Sequence, residues 1–272
     1  MSNLTSRIFS AAVALVLLFC AIYFWQETGI YVLAILVVFR GSFEMARMFF
    51  SSNYPVYSKT FFVALCLITF LIITHPLYKS LSGVFVILSF VATVVYGIAL
   101  HKKFTSIDHV LTFVTKCTTG LLYCCYLPAC IVWITHTNNG MEWFFCLLAV
   151  VFSGDIGAYL FGVKFGKTRI APLLSPKKSL EGAIGGLTFS CLTALLFSLL
   201  LTNTPIWVFV FCGLLGGALG QIGDFFESLV KRVSGVKDSG SIMPGHGGIL
   251  DRMDGVLLAA PLFYLAATLY SL

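Results

Sequence analysis

Charge is what this sequence has least of. Charged residues make up 10% of its 272 positions and hydrophobic residues 59%, where a soluble domain carries about 25% and 45–50%. Mean hydropathy is +0.98. So little charge excludes a disordered chain, a coiled coil and an ordinary water-soluble enzyme. Acids are the scarcer sign, 11 Asp+Glu against 17 Lys+Arg, for a formal charge of +6. On a soluble protein that balance would suggest a nucleic-acid surface. Here the bases read as markers of cytoplasmic loops, and no nucleic-acid partner is expected. Metal-type cysteine spacing is also missing. The nine cysteines lie in apolar runs without a CxxC, so they read as small hydrophobes and not as a zinc or disulfide framework. Arg7 followed by the apolar run 8–25 imitates a signal peptide, but no clean small-x-small cleavage site follows and further runs do. A retained first helix is the expectation.

What is present is a series of apolar runs, at 8–25, 30–39, 61–74, 84–100, 110–135, 143–162, 183–202, 206–226 and 255–272. A span needs about 20 apolar residues. The series predicts an all-α, polytopic integral membrane bundle of about nine transmembrane helices, with soft boundaries in the short second and third runs. Lys116 and Pro128 in the fifth run predict a kink or a later start. Gly213, Gly216, Gly217 and Gly220 in the eighth run give small-xxx-small spacing, which suits close helix packing within the chain or a homodimer contact. With the N-terminus and every second loop placed inside, Lys79 is the one base left in the outer loops and Lys116 falls in a span. The positive-inside rule therefore puts the N-terminus in the cytoplasm and the C-terminus outside.

Residues 1–140 read as a scaffold of transmembrane helices, and residues 141–272 as the half that carries chemistry through cytoplasmic loops 164–181 and 227–254. Seven of the 11 acids lie in or beside those loops: Asp155, Glu181, Asp224, Glu227, Asp238, Asp251 and Asp254. Asp224 ends an apolar run, with Ser228 and Lys231 near the same helix face. A carboxylate at that depth is costly unless it is paired or binds a metal; a helix-end charge snorkelling to the headgroups is the plainer reading. Asp251 and Asp254, at i and i+3, follow a glycine-rich stretch with His246. Two acids so close favour a divalent cation between them, and oxygen-only ligands favour magnesium over zinc. Helix capping alone would also favour acids there. Lys231, Arg232, Lys237 and Arg252 lie between or beside these acids, the combination that phosphoryl or nucleotidyl transfer uses. In the other loop, Lys178 and Ser179 suit an anion, while Ser179 could equally cap a helix. Asp155 falls mid-span, a site candidate by default. Residues 162–168, GVKFGKT, imitate a P-loop but are one residue short and follow an apolar helix. His75, His101, His109 and His136 sit at span ends or in loops and read as interfacial.

The stretch from Ser228 through Lys231-Arg232 and Lys237-Asp238 to His246-Gly247-Gly248-x-x-Asp251-Arg252-x-Asp254 resembles the signature of the phosphatidate cytidylyltransferases, or CDP-diacylglycerol synthases. Met243 departs from the family's usual Leu, Ile or Phe. Ser175-Pro-Lys-Lys-Ser-x-Glu-Gly182 and Asp155-x-x-Ala158-Tyr159-x-x-Gly162 match as well, so the resemblance covers about residues 150–272. It implies the reaction CTP + phosphatidate → CDP-diacylglycerol + pyrophosphate, dependent on Mg2+ with a monovalent cation such as K+ beside it. It implies metal ligation by Asp224 and Asp251, with Asp254 an alternate ligand. Lys231 and Arg252 would join those acids in catalysis. Lys178, Ser179, Arg232, Lys237 and His246 would contact phosphates, and Asp155, Glu181, Ser228 and Asp238 are further candidates. The expected setting is the cytoplasmic leaflet of a bacterial cytoplasmic membrane, with CTP, phosphatidic acid and membrane lipid as partners.

Two other readings predict different sequences. A CDP-alcohol phosphatidyltransferase would carry Asp-Gly-x-x-Ala-Arg, but Asp254-Gly255 runs on into Val-Leu-Leu-Ala. A transporter of phosphorylated solutes would spread its charges over both halves with an internal repeat, and the acids instead concentrate late in the chain. Another lipid-phosphate nucleotidyltransferase would look much the same.

Overall fold

The computed structural model describes residues 3–50, 53–242 and 247–270, with side chains except those of residues 3–12, 14 and 15. Arg7 and His246 therefore lie outside the described side chains. Among the described residues seven helices are long and apolar enough to cross a membrane, and Ser58–Thr74 is a shorter apolar helix. The surface is inverted relative to a soluble protein: Phe19, Tyr23, Ile87, Val95, Leu192 and Leu196 are more than half exposed, while Ser89, Thr93 and Ser190 are buried. Lipid in place of water as solvent explains both, because every helix satisfies its own backbone.

The chain forms two compact units, Met1–Val132 with Val236–Leu250 and Trp133–Gly235 with Asp251–Leu272. Residues 236–250 thus fall in the same unit as the N-terminal helices.

In the first unit, α1 (Asn3–Phe49) is two helices broken at Gln26, whose φ of 48° is non-helical. The turn is tight enough that a side chain at Gly29 would run into the backbone of Ala21. This break separates the first two apolar runs. Next come α2 (Ser58–Thr74), a 3-10 turn at Pro76–Leu81, α3 (Ser82–Ala99), α4 (Ile107–Leu121) and α5 (Leu127–Thr135). Between α4 and α5 the helix widens into a π turn, Leu122–Tyr126. Pro128 accounts for it: its ring would clash with the carbonyl four residues back, and the wider turn relieves that. The fifth run is therefore one continuous span, starting three residues earlier than its apolar limit because Ser106 caps the His109 N–H at 3.3 Å. Lys116 is accounted for as well. Its Nζ donates to the Phe49 carbonyl at 2.7 Å and lies 5.0 Å from the Tyr54 ring, closing the C-terminal end of α1. The core here is aromatic, with Phe50, Phe62 and Phe113 fully buried.

The second unit holds α6 (Gly140–Phe165), a hairpin of β1 (Arg169–Ala171) and β2 (Ser175–Ser179), then α7 (Leu180–Phe197), α8 (Ile206–Val233) and α9 (Leu250–Tyr270). The short antiparallel hairpin interrupts the helices of this otherwise all-α fold. It occupies the polar loop where bilayer solvation no longer enforces helix. Trp143 stacks on Phe209 at 5.7 Å and meets Phe263 edge-on at 6.5 Å. The glycine spacing of α8 does serve packing: a Cβ at Gly217 would lie 2.6 Å from Ser190 Oγ, and one at Gly216 would lie 2.6 Å from the Phe263 ring. Helices α6 and α7 also approach closely, since a Cβ at Gly157 would come within 2.7 Å of both the Gly185 carbonyl and the Phe189 ring. Gly157→Ala is expected to cost about 1–3 kcal/mol through overpacking, read as a lowered unfolding midpoint in detergent. An unchanged midpoint would mean the helices can part without cost.

Candidate functional site

Helix α8 continues past its apolar run, since the backbone goes on satisfying itself after the hydrocarbon ends. Asp224 stands near the end of that run, and the extension adds Glu227, Ser228 and Lys231 on the same helix. Helix α9 opens with Asp251 in its first turn and Asp254 at the next. The glycines of α8 let the two approach: a side chain at Gly223 would collide with the Asp254 carbonyl.

Two lysines organise the acids. Lys178, at the end of β2, pairs with Asp224 Oδ2 and sits 4.2 Å from the Phe225 ring centre. This pair is open to solvent, with 40% of the Asp224 side chain exposed. Lys231 Nζ bridges two carboxylates, 2.9 Å from Glu227 Oε2 and 2.6 Å from Asp251 Oδ1. That triad is buried: the exposures are 14% for Lys231, 8% for Asp251 and none for Glu227. Asp254 Oδ1 accepts from the Gly255 N–H at 2.9 Å, and its carboxylate is within electrostatic reach of Asp224, Asp155 and Glu227. Asp155, on α6, also feels Lys178 and Arg252.

Five carboxylates thus share three cationic side chains, a formal excess of two negative charges. Glu227 Oε1 is buried with no hydrogen-bond partner. Among the described residues, however, no three His, Cys, Asp or Glu side chains gather as a ready-made cation cage. Asp224, Asp251 and Asp254, the expected metal ligands, meet Lys178, Lys231 and the Gly255 N–H respectively.

The remaining candidates divide. Ser179 is buried, and its Oγ accepts the Gly182 N–H at 3.2 Å, so it caps α7. Glu181 shapes the loop by accepting the N–H of Lys167 at 3.0 Å and of Thr168 at 3.2 Å. Arg232 Nε reaches the Leu174 carbonyl at 3.4 Å, tying the helix end to the hairpin tip. Ser228 is half-buried, and Lys237 and Asp238 are exposed. Both of the latter belong to the first unit, where Asp238 lines a small cavity with Arg47. Glu227, one of the clustered acids, joins the site as the buried partner of Lys231. Its i, i+4 spacing to Lys231 on a helix is the signal that could have found it.

A family model described as the cytidylyltransferase family matches residues 5–270 of this chain. Similar curated proteins are named phosphatidate cytidylyltransferase. One from Mycobacterium bovis is 38% identical over 136 residues, 50% of this chain and 44% of that protein. One from Staphylococcus saprophyticus is 40% identical over 126 residues, 46% of this chain and 48% of that protein, and one from Staphylococcus aureus is 42% identical with the same coverage. The matched stretch spans about half the length of these relatives.

Proposed function

Since this chain belongs to the cytidylyltransferase family, we propose that it transfers a cytidylyl group from CTP to phosphatidate, yielding CDP-diacylglycerol and pyrophosphate for phospholipid synthesis. The observation that carries the reading is the lysine-bridged carboxylate set at the ends of α8 and α9, at the positions of the transferase signature. A phosphatidate oxygen, already anionic at neutral pH, attacks the α-phosphorus of CTP. The bond from that phosphorus to the bridging oxygen breaks, and pyrophosphate leaves. No dedicated base is required, so catalysis is positioning and charge neutralisation. Lys178, Lys231 and Arg252 supply positive charge to the phosphates. Arg232, Lys237 and His246 keep phosphate roles on the strength of the resemblance, and Ser179 positions Lys178 by starting α7.

Magnesium suits the donor set: the carboxylates offer oxygen only, outnumber the neighbouring cationic side chains and include a buried Glu227 oxygen that no protein donor satisfies. Asp224, Asp251 and Asp254 would hold it, in exchange for part of their lysine pairing. When bound it would neutralise charge developing on the phosphates, with a monovalent cation such as K+ beside it. The chain would cross a bacterial cytoplasmic membrane nine times, N-terminus inside and C-terminus outside, with the site at the cytoplasmic leaflet, a reading that the apolar runs and the one-sided Lys and Arg support. There CTP arrives from water and phosphatidate from lipid, and a homodimer is the proposed assembly.

The test is purified protein with Mg2+, phosphatidate and CTP, dCTP or another nucleoside triphosphate, followed by pyrophosphate release. Release with CTP, accompanied by CDP-lipid, is expected. No release with any lipid acceptor would overturn the proposal.

A further inference from the structure

We propose that Glu44, in the N-terminal helices, is a positioning residue for the start of α9 and hence for the backbone from which Asp251 and Asp254 project. Its effect on turnover rests on the transfer reading above; its geometry does not.

Glu44 lies on α1 and is fully buried. Its Oε1 accepts the Ile249 N–H and its Oε2 the Leu250 N–H, each at 3.2 Å. Oε2 also accepts the Ser239 hydroxyl at 3.0 Å, and Arg40 Nε lies 3.4 Å from Oε1. The first N–H groups of a helix have no partner within it, and here a carboxylate about 200 positions away in sequence supplies one. Burying a carboxylate is costly unless it is paired and hydrogen-bonded, and these contacts meet that condition.

The glycines give an independent line of support. A Cβ at Gly240 would lie 2.5 Å from Glu44 Oε1 and 2.8 Å from its Cδ. One at Gly248 would fall onto both Glu44 Oε2 and Ser239 Oγ. Both positions are bare because the backbone closes onto this carboxylate. Glu44 therefore pins residues 239–240 and 248–250, the two ends of the stretch that contains His246. The next residue in the chain is Asp251. The carboxylate on α1 therefore sets where the helix begins.

A merely structural carboxylate would affect stability in general. A positioning one affects this helix start and the rate. Glu44→Gln keeps the size, but its Nε2 cannot accept the Leu250 N–H. Glu44→Asp keeps both acceptor oxygens on a shorter arm. Wild type and variants would be compared in one detergent by hydrogen–deuterium exchange and by steady-state kinetics with CTP and phosphatidate. In Glu44→Gln, peptides covering 247–251 are expected to exchange at least about ten-fold faster, with α2–α4 unchanged. Its kcat should fall about 100-fold, the scale of a small misplacement, with KM for CTP within about three-fold. Glu44→Asp should recover part of kcat. If Glu44→Gln does not fold, Gly248→Ala, which presses a methyl against the intact carboxylate, should give the same exchange and kcat pattern. Unchanged exchange at 247–251, or a loss confined to KM, would overturn the proposal. Absence of turnover in the wild type would instead overturn the transfer reading, and the exchange comparison would still decide the role of Glu44.

Discussion

Lys231→Met is expected to reduce the proposed transfer about 100- to 1,000-fold and to destabilise the protein by about 3–5 kcal/mol. Lys231 hydrogen-bonds both Glu227 and Asp251, at 2.9 and 2.6 Å, and all three side chains are largely buried. Taking away one partner of a buried ion pair strands the remaining charge, which is the expensive event; the pair itself adds little. Here two carboxylates are stranded, with Asp254 close to Glu227 as a third negative group. The rate loss has a separate origin, because a preorganised donor aimed at developing phosphate charge is worth about that factor. The two effects separate in the double variant Lys231→Met with Glu227→Gln. Neutralising Glu227 removes one stranded charge, so most of the stability should return while turnover stays low. A cycle of the four proteins measures the coupling directly. Lys231→Arg is not a neutral control, since a planar guanidinium cannot occupy the point between two carboxylates that an ammonium does. Wild-type stability and turnover in Lys231→Met would remove Lys231 from the site altogether.

That triad also marks how far the sequence could be read. Hydrophobic runs and the one-sided distribution of Lys and Arg are local signals, and they outlined the helices. The gap at residues 26–29 between the first two runs is where α1 breaks at Gln26. Positive φ at a glutamine has no sequence cue of the kind glycine provides, so the tight turn was not legible. Hydrophobicity stops before hydrogen bonding does at α8, whose apolar run ends at 226 while the helix runs to Val233, in keeping with the shared helix face read for Asp224, Ser228 and Lys231. The hairpin at 169–179 contains Pro176 and five charged or hydroxyl residues and lacks the alternation that announces a strand. In the site, the acids at the ends of α8 and α9 stood out because charge is so rare in this chain. Which base each acid meets depends on tertiary approach, and spacing does not encode that. Ser179 has two readings in the sequence, a phosphate contact or a helix cap, and the cap is visible in the hydrogen bond its Oγ accepts from Gly182. Glu44 lay in the half taken as scaffold, and its partners are some 200 residues away, beyond any local pattern.

Asp224→Asn and Asp251→Asn should each abolish magnesium-dependent incorporation of label from CTP into lipid, yet with different consequences for folding. The Asp224 side chain is 40% exposed and its partner Lys178 27%, the setting in which an ion pair contributes about 1 kcal/mol or less. Asp224→Asn should therefore insert and melt much like the wild type. Any loss of turnover then belongs to chemistry, because the amide cannot replace a carboxylate toward a cation. Asp251 is buried against Lys231, so Asp251→Asn should also lose about 3 kcal/mol as the ammonium keeps only Glu227. Turnover per folded molecule, with magnesium titrated, puts the two variants on one scale. If both acids hold the cation, neither variant regains turnover at any magnesium concentration. If Asp251 serves only to hold Lys231, its variant should instead keep the wild-type magnesium dependence at a reduced rate. Full activity in Asp224→Asn would sink the metal assignment for the exposed pair, leaving Lys178 and Asp224 as a structural bridge between the hairpin and α8.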